Sequence, residues 1–190
     1  ASGMPTAIDL FCGAGGLTLG LESAGISVRL GVDSWTPSVK TYGSNFGHPV
    51  LNEDIAGVSG TALIAAAGCR PDFVVGGPPC QGFSVQRIGG AVDKRNDLVG
   101  EFARLVGELR PKALAMENVP GLLGNRGARQ AEHFRQVLAA QGYEVVFHRV
   151  DALSCGVPQR RRRVIALGWQ AEFGPLDLLL SDPPGVLTVW

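Results

Sequence analysis

Short apolar segments and amphipathic segments alternate along this chain, and that alternation restricts its fold more than any other feature. Several apolar segments are almost uninterrupted, which is typical of strands buried on both faces of a parallel sheet. The pattern predicts an α/β fold: a Rossmann-like, doubly wound, mostly parallel sheet. The predicted strands are 6–11, 27–32, 72–77, 112–118, 143–150 and 163–169. The predicted helices are 17–25, 36–46, 60–68, 97–109 and 128–142.

Ligands of such sheets bind beyond the carboxyl ends of the strands, so the residues that follow each strand are candidates for a site. The segment "DLFCGAGGL" joins the first strand to the first helix. Its glycines Gly13, Gly15 and Gly16 would let the backbone approach a ligand at the N-terminus of that helix. The alternative interpretation is a purely structural turn, because a lone glycine-rich segment is not specific.

Two acidic residues extend this first pattern. Asp33 follows the second strand, 20 positions after Gly13, and a carboxylate there can accept hydrogen bonds from both hydroxyls of a ribose. Asp54 could accept a hydrogen bond from an adenine amine. Each acid alone is typical of an exposed loop, but their order along the chain predicts a cofactor that carries a nucleoside.

A cysteine after two prolines marks the second pattern, "VVGGPPCQGFS". Cys80 is either a small core residue or a nucleophile that the prolines hold at a strand end. A long polar loop, 82–96, follows it, and loops of that length in a compact domain usually have a function. Four cysteines without a C-x-x-C pair indicate neither a zinc site nor a disulfide framework; they are Cys12, Cys69, Cys80 and Cys155.

Charged residues at two further strand ends form the third pattern. Glu117 emerges from an apolar strand and is costly to bury without a partner or a task, although it could simply cap the strand. Asn118 beside it can fix a loop or the acid. Four arginines, 160–163, precede a strand whose side chains alternate, which predicts Arg161 and Arg163 on one side and the other two on the opposite side. A solvated basic run is the alternative.

Four motifs in this order, "DLFCGAGG", "GGPPCQGFS", "MENVPG" and "QRRRR", resemble the carbon-5 cytosine methyltransferase family, which methylates DNA with S-adenosylmethionine. The resemblance extends over residues 7–169. It implies the sheet topology of S-adenosylmethionine-dependent methyltransferases, S-adenosylhomocysteine as the cofactor product, and no metal. Gln159 opens the last of these motifs.

The resemblance also implies roles for the catalytic residues. Cys80 would be the nucleophile that attacks carbon 6 of the cytosine, and Glu117 would hold ring nitrogen 3 and the exocyclic amine. Asn118 would order the loop that carries the cysteine. Arg161 and Arg163 match the paired arginines that contact the base carbonyl and the catalytic residues.

The implied cofactor contacts come from five segments of the chain. Asp33 would bind the ribose, Asp54 and Ile55 the adenine, Pro78 the methionine side and Leu98 the adenine edge. Ser34 stands where family members often carry an aromatic residue, and the aromatic residue comes one position later. The full set is Phe11, Gly13, Gly15, Gly16, Asp33, Ser34, Trp35, Asp54, Ile55, Pro78 and Leu98.

A double-stranded DNA substrate is implied as well, with the target base flipped out of the duplex into the site. The formal net charge is zero, so DNA binding must come from local clusters of basic residues. The loop 82–96 has the length and polarity to close over a flipped base. The candidate contacts beside and within it are Gln81, Ser84, Gln86, Arg87 and Arg95.

The expected organisation is a catalytic, cofactor-binding domain over 4–170 and a linker over 171–190 that leads towards an absent target-recognition region. A second chain that supplies this region is the other arrangement considered. Rival interpretations are a transfer-RNA cytosine-5 methyltransferase, a non-catalytic module or half of a split enzyme, and a small-molecule methyltransferase. Reduced cysteines, the lack of a membrane-length apolar run and the lack of a targeting signal predict the cytoplasm, without a membrane partner, and the high Ala, Gly and Arg content predicts a bacterial source.

Overall fold

The sheet of the protein has seven strands and carries five helices in the parts of the chain that the computed structural model describes, residues 3–79 and 97–176. The strands are β1 Thr6–Leu10, β2 Ser27–Asp33, β3 Val50–Asn52, β4 Phe73–Gly76, β5 Ala113–Asn118, β6 Tyr143–Asp151 and β7 Arg162–Gln170. The helices are α1 Gly16–Ser23, α2 Thr36–Asn45, α3 Gly60–Ala67, α4 Leu98–Leu109 and α5 Ala128–Ala140.

The strand order is β3-β2-β1-β4-β5-β7-β6. The first five strands of this order pair in parallel, whereas β7 runs antiparallel to both β5 and β6. The chain moves outwards from β1 to β3 and then crosses to β4 on the other side of β1. This reversal makes a topological switch point between β1 and β4, and crevices at such points are the usual ligand sites of open α/β sheets. The predicted fold class is confirmed.

All six predicted strands and all five predicted helices are confirmed, with ends that differ by only a few residues. The sequence did not predict β3, which is three residues long and therefore too short to show a period of two. Helix α5 ends as expected before Gly142, which has a φ of 88°. That left-handed backbone conformation is one that glycine adopts without steric cost.

Helix α4 forms the centre of the core on one face of the sheet. Six of its residues are buried, at the spacing of a helix that is covered along one side: Val99, Phe102, Ala103, Leu105, Val106 and Leu109. The rings of Phe102 and Phe134 of α5 lie 6.2 Å apart, centroid to centroid. Helix α4 begins at Leu98, so its packing fixes the position of the predicted adenine-edge contact.

No helix in the ranges given above is long and apolar enough to cross a lipid bilayer.

Candidate active site at the carboxyl ends of the strands

The glycine-rich turn after β1 has an unusual backbone. Phe11, Gly13 and Gly15 have positive φ angles of 60°, 55° and 98°. A Cβ atom added to Gly13 or Gly16 would meet no described atom within 4 Å, so the backbone at these positions faces open space. At Gly15, in contrast, a Cβ atom would overlap the ring of Phe46. Gly15 therefore has a packing reason to be glycine, in addition to the ligand approach that the sequence predicted.

Asp33 joins the end of β2 to this turn. One carboxylate oxygen accepts a hydrogen bond from Gly13 N at 2.9 Å, and the other accepts one from Trp35 N at 2.8 Å. Each carboxylate oxygen has a second lone pair available, so the group can still accept hydrogen bonds from ribose hydroxyls. The side-chain amide of Asn52, which the sequence analysis did not single out, donates to the carbonyls of Asp33 and Ser34 at 3.1 and 2.9 Å.

The predicted adenine-side residues lie next to Asp33, because β3 pairs with β2 in parallel. Asp33 is the register partner of Asn52, and the chain then turns at Asp54, whose carboxylate accepts from Ala56 N at 3.0 Å. Ile55 is buried, while Ser34 and Trp35 are exposed. Trp35 has 65% of its surface exposed, enough to leave its indole available to a ligand.

Glu117 faces an arginine from the neighbouring antiparallel strand. Glu117 pairs in register with Ile165, and Arg163 lies two residues from Ile165 on the same side of β7. Arg163 Nε and Glu117 Oε1 are 2.5 Å apart. The other oxygen, Oε2, would lie 3.2 Å from a Cβ atom on Gly77, so it points at the backbone that leaves β4. The carboxylate thus stands between an arginine and the segment that leads into Cys80.

Asn118 holds that same segment. It is almost fully buried, with 2% of its surface exposed. Its side-chain amide donates to the carbonyl of Pro78 at 3.2 Å, and its side-chain oxygen accepts from Val119 N at 2.9 Å. Pro78 itself is buried. One side chain therefore satisfies backbone groups after both β4 and β5 at the point where the two strands end.

The arginine run is only partly inside a strand. Strand β7 begins at Arg162, so strand alternation applies from Arg162 onwards and does not extend to Arg160 or Arg161. Arg162 is 84% exposed at its side chain, and its Nε lies 3.9 Å from Asp151 Oδ2, on the side opposite Glu117. Arg161 is exposed, and its backbone N donates to Asp151 Oδ1 at 3.2 Å. The common orientation of Arg161 and Arg163 stays a prediction.

Cys80 and the predicted DNA contacts Gln81, Ser84, Gln86, Arg87 and Arg95 lie outside the described residues, as does the loop 82–96, so their roles stay predictions. The expected division into a domain and a linker after residue 170 also stays a prediction. Among residues 3–79 and 97–176, no group of three or more His, Cys, Asp or Glu side chains could hold a metal ion.

A buried polar chain under the turn was not predicted from the sequence. Thr18 Oγ1 of α1 donates to Asp9 Oδ2 at 2.7 Å and lies 2.9 Å from the hydroxyl of Tyr42, which lies 2.6 Å from His48 Nε2. Burial raises the pKa of Asp9 to about 7, against the opposing effect of the Thr18 hydrogen bonds, and the nearby charge of Asp33 adds to the rise. The sequence signal for this buried chain was an acidic residue between Ile8 and Leu10 in a strand that is otherwise apolar.

These residues fit a nucleoside cofactor. The turn presents open backbone at Gly13 and Gly16, α1 begins there with free N–H groups, and Asp33 retains acceptor capacity beside it. Asp54 lies one loop further along the same edge of the sheet. A carboxylate beside an open glycine turn is the arrangement that binds ribose in doubly wound folds.

A family model and similar curated proteins place the chain in the same family. The family model for C-5 cytosine-specific DNA methylase matches residues 6–178. The Type II methyltransferase M.AgeI of Thalassovita gelatinovora is 40% identical over 181 residues, which are 93% of this chain and 41% of that protein. The Type II methyltransferase M.XorII of Xanthomonas oryzae is 39% identical, over 97% of this chain and 45% of that protein. The chain thus spans less than half the length of these two relatives.

Solved structures agree. A protein described as a DNA modification methyltransferase encoded within a prophage (E. coli) superposes with a TM-score of 0.82 and 29% identity, over 97% of this chain and 52% of that one. The Dnmt2 methyltransferase of S. pombe superposes with a TM-score of 0.68 and 21% identity, over 87% of this chain and 49% of that one. At that identity, the second likeness shows a shared fold.

Proposed function

The chain belongs to the C-5 cytosine-specific DNA methylase family, and from this we propose that it transfers a methyl group from S-adenosylmethionine to carbon 5 of cytosine in double-stranded DNA. Because it spans only part of its relatives, the activity is proposed for the protein of which these residues form the catalytic part.

One observation carries the proposal: the Glu117 carboxylate, bonded to Arg163, lies against the backbone that leads from β4 into Cys80. A carboxylate fixed beside the segment that leads to a cysteine is the arrangement expected for thiol addition to an aromatic base. Carbon 5 of cytosine is a weak nucleophile, and addition of the Cys80 thiolate at carbon 6 turns the ring into an enamine-like nucleophile. After methylation at carbon 5, loss of the carbon 5 proton expels the Cys80 thiolate from carbon 6 and restores the ring, so the single difficult step is divided into easier ones.

The chain's own residues have separate tasks in this reaction. Glu117 Oε1 is bonded to Arg163, so Oε2 is the oxygen available to the exocyclic amine of a flipped cytosine. Asn118 holds the Pro78 carbonyl and thereby orients the chain two residues before the thiol. S-adenosylmethionine, when bound, supplies an electrophilic methyl group on a sulfonium. Asp33 and the open turn at Gly13 would bind its nucleoside.

We propose that target selection comes from outside these 190 residues, either from a further region or from a second chain. The candidate catalytic and cofactor-binding residues do not form an element that reads base edges in a groove, which is what sequence recognition requires. The proposed place of action is the bacterial cytoplasm, where the DNA of such a cell lies.

The first experiment measures transfer of labelled methyl groups to mixed-sequence duplex DNA and, in parallel, to transfer RNA. Transfer to DNA that is lost in Cys80→Ser and retained in the control Cys155→Ser, a change at an exposed thiol, would support the proposal. A covalent complex with a 5-fluorocytosine duplex would identify the thiol adduct. Transfer to RNA alone would contradict the proposed substrate.

The location of target selection has its own test. Sequencing of the methylated cytosines after transfer by the 190-residue chain should reveal no shared flanking sequence. A single recognition sequence in the products would contradict the proposal that recognition lies elsewhere.

A further inference from the structure

The guanidinium group of Arg104, in the middle of α4, donates hydrogen bonds to four acceptors. Nε donates to Glu101 at 2.7 Å and Nη1 donates to Glu108 at 2.6 Å. Nη2 donates to two backbone carbonyls, those of Ile55 and Val58, each at 3.0 Å. Two of these acceptors lie on α4, one turn before and one turn after Arg104, and the other two lie more than 40 residues away in the sequence.

The two glutamates fix the orientation of the guanidinium group, and the guanidinium group in turn binds the carbonyls of the segment after β3. Arginine can do this because its donors form a rigid, planar fork, whereas a lysine offers one point charge. Glu108 also accepts from Gly60 N at 2.5 Å, and a Cβ on Gly60 would come within 2.6 Å of Glu108 Cβ. The cluster therefore fixes the chain from Ile55 to the start of α3 against α4.

This segment carries Asp54 and Ile55, the residues that the family resemblance assigns to the adenine of the cofactor. Ile55 has 2% of its surface exposed, and its carbonyl is one of the two that Arg104 holds. Asp54 directly precedes it, and Leu98, the predicted contact of the adenine edge, is the first residue of α4. The two sides of the proposed adenine pocket thus belong to two elements that Arg104 joins.

We propose that Arg104 is a positioning residue for nucleobase selection: without touching the cofactor, it fixes the distance between Asp54–Ile55 and α4 so that adenine is preferred over other purines. The proposal rests on the proposed function, since it assumes an adenosyl cofactor at this edge of the sheet. An interaction that only stabilised the fold would not change the preference between two ligands that differ only at carbon 6 and nitrogen 1 of the purine.

The test compares binding of S-adenosylhomocysteine with binding of S-inosylhomocysteine, in which a carbonyl replaces the exocyclic amine. Titration calorimetry on the 190-residue chain would use Arg104→Gln, Arg104→Lys and the control Arg135→Gln. Arg135 forms a comparable pair with Glu132 on the surface of α5, at 2.9 Å. Thermal unfolding of each variant would be measured in the same buffer.

We expect the original chain to prefer the adenosyl ligand, and Arg104→Gln to weaken adenosyl binding about tenfold while weakening inosyl binding much less. Arg104→Lys should also lose most of the preference, even where its unfolding temperature stays close to the original, and Arg135→Gln should keep it. Equal weakening of both ligands, or an unchanged preference in the Arg104 variants, would overturn the inference alone. A chain that binds neither ligand before mutation would contradict the proposed function as well.

Discussion

At the residue scale, Glu117 and Arg163 meet because their strands run in opposite directions. Strand β7 starts where β5 ends, so a residue near the beginning of one lies diagonally opposite a residue near the end of the other. The pair is partly shielded, with side-chain exposures of 24% for Arg163 and 34% for Glu117. At that exposure the pair contributes little to stability, and orientation of the carboxylate is the effect to test.

Arg163→Gln should therefore reduce the turnover number of methyl transfer by roughly 10- to 100-fold, because a misplaced carboxylate no longer meets the base. The affinity for S-adenosylhomocysteine should change less than twofold. Single-turnover kinetics and calorimetry on the full enzyme would measure both, with Arg135→Gln as the matched control. A loss of cofactor affinity as large as the loss of turnover would mean that Arg163 does not act through Glu117.

Asp9 predicts a pH effect on stability. Its pKa is raised from 3.8 to about 7, mainly by burial, so the folded state keeps a proton that the unfolded chain releases above about pH 4. The contribution of Asp9 to stability should fall as the pH rises from about 4 to 7 and then level off. Asp9→Asn should remove this contribution to the pH slope and raise the free energy of unfolding at pH 8 by on the order of 2–4 kcal/mol.

Urea unfolding at pH 4.5, 6 and 8 measures this, with Glu53→Gln, a change at an exposed acid, as the control. If the original chain and Asp9→Asn show the same pH slope, then Asp9 is ionised throughout this range and the argument from burial is wrong.

The sequence alone predicts the place of a site residue when the neighbouring residues in the chain are enough to indicate it. Asp33, Glu117 and Asn118 each lie at the carboxyl end of an apolar strand, so their position at the carboxyl edge could be predicted. Asp9 and Arg104 could not be assigned in the same way, because their partners come from other elements: Thr18 from α1 for the first, and the carbonyls after β3 for the second. The contact between Arg163 and Glu117 likewise depended on knowing that β7 is antiparallel.

At the element scale, the glycine turn combines two kinds of glycine. Gly13, with a φ of 55°, faces open space, whereas the Cβ position of Gly15, with a φ of 98°, is filled by Phe46. Both require a left-handed backbone, but only Gly15 also requires the absence of a side chain for packing. The same short turn therefore has one position that ligands can reach and another that the core has already occupied.

Gly15→Ala should lower the free energy of unfolding by roughly 2–4 kcal/mol, because backbone strain and overlap with Phe46 add. Gly13→Ala should lower the free energy of unfolding by only about 1–2 kcal/mol, the cost of backbone strain. Its effect on the free energy of S-adenosylhomocysteine binding should be larger than its effect on the free energy of unfolding. Urea unfolding and calorimetry on both variants separate the effects, with Gly3→Ala, at a position with open surroundings, as the control. Equal loss of stability in both would contradict the distinction.

The features of the sheet that the sequence analysis missed are those with the weakest periodic signal. Strand β3 has three residues, and only its pairing with β2 makes it a strand. The direction of β7 cannot follow from its apolar pattern, because parallel and antiparallel buried strands read alike. Strand β7 did begin near the predicted residue, since the change from charged to apolar residues at Val164 is visible in the sequence.

At the scale of the whole molecule, the switch point divides the candidate site in two. Strands β1, β2 and β3 on one side carry the glycine turn, Asp33 and Asp54. Strands β4, β5 and β7 on the other side carry the segment before Cys80, Glu117 and Arg163. Asp33 and the glycine turn on one side, and Glu117 and Arg163 on the other, therefore belong to separate halves of one sheet, which pair along strands β1 and β4.

This division predicts that cofactor binding and methyl transfer can be lost separately. Glu117→Gln should reduce methyl transfer at least 100-fold while leaving the affinity for S-adenosylhomocysteine within about twofold. Asp33→Asn should weaken cofactor binding about 10- to 100-fold, because one acceptor for the ribose hydroxyls and the bond that fixes Gly13 are both impaired. Calorimetry and single-turnover transfer on the full enzyme would be compared with Glu132→Gln. If Glu117→Gln weakened cofactor binding as much as Asp33→Asn, the two halves of the sheet would form a single coupled site.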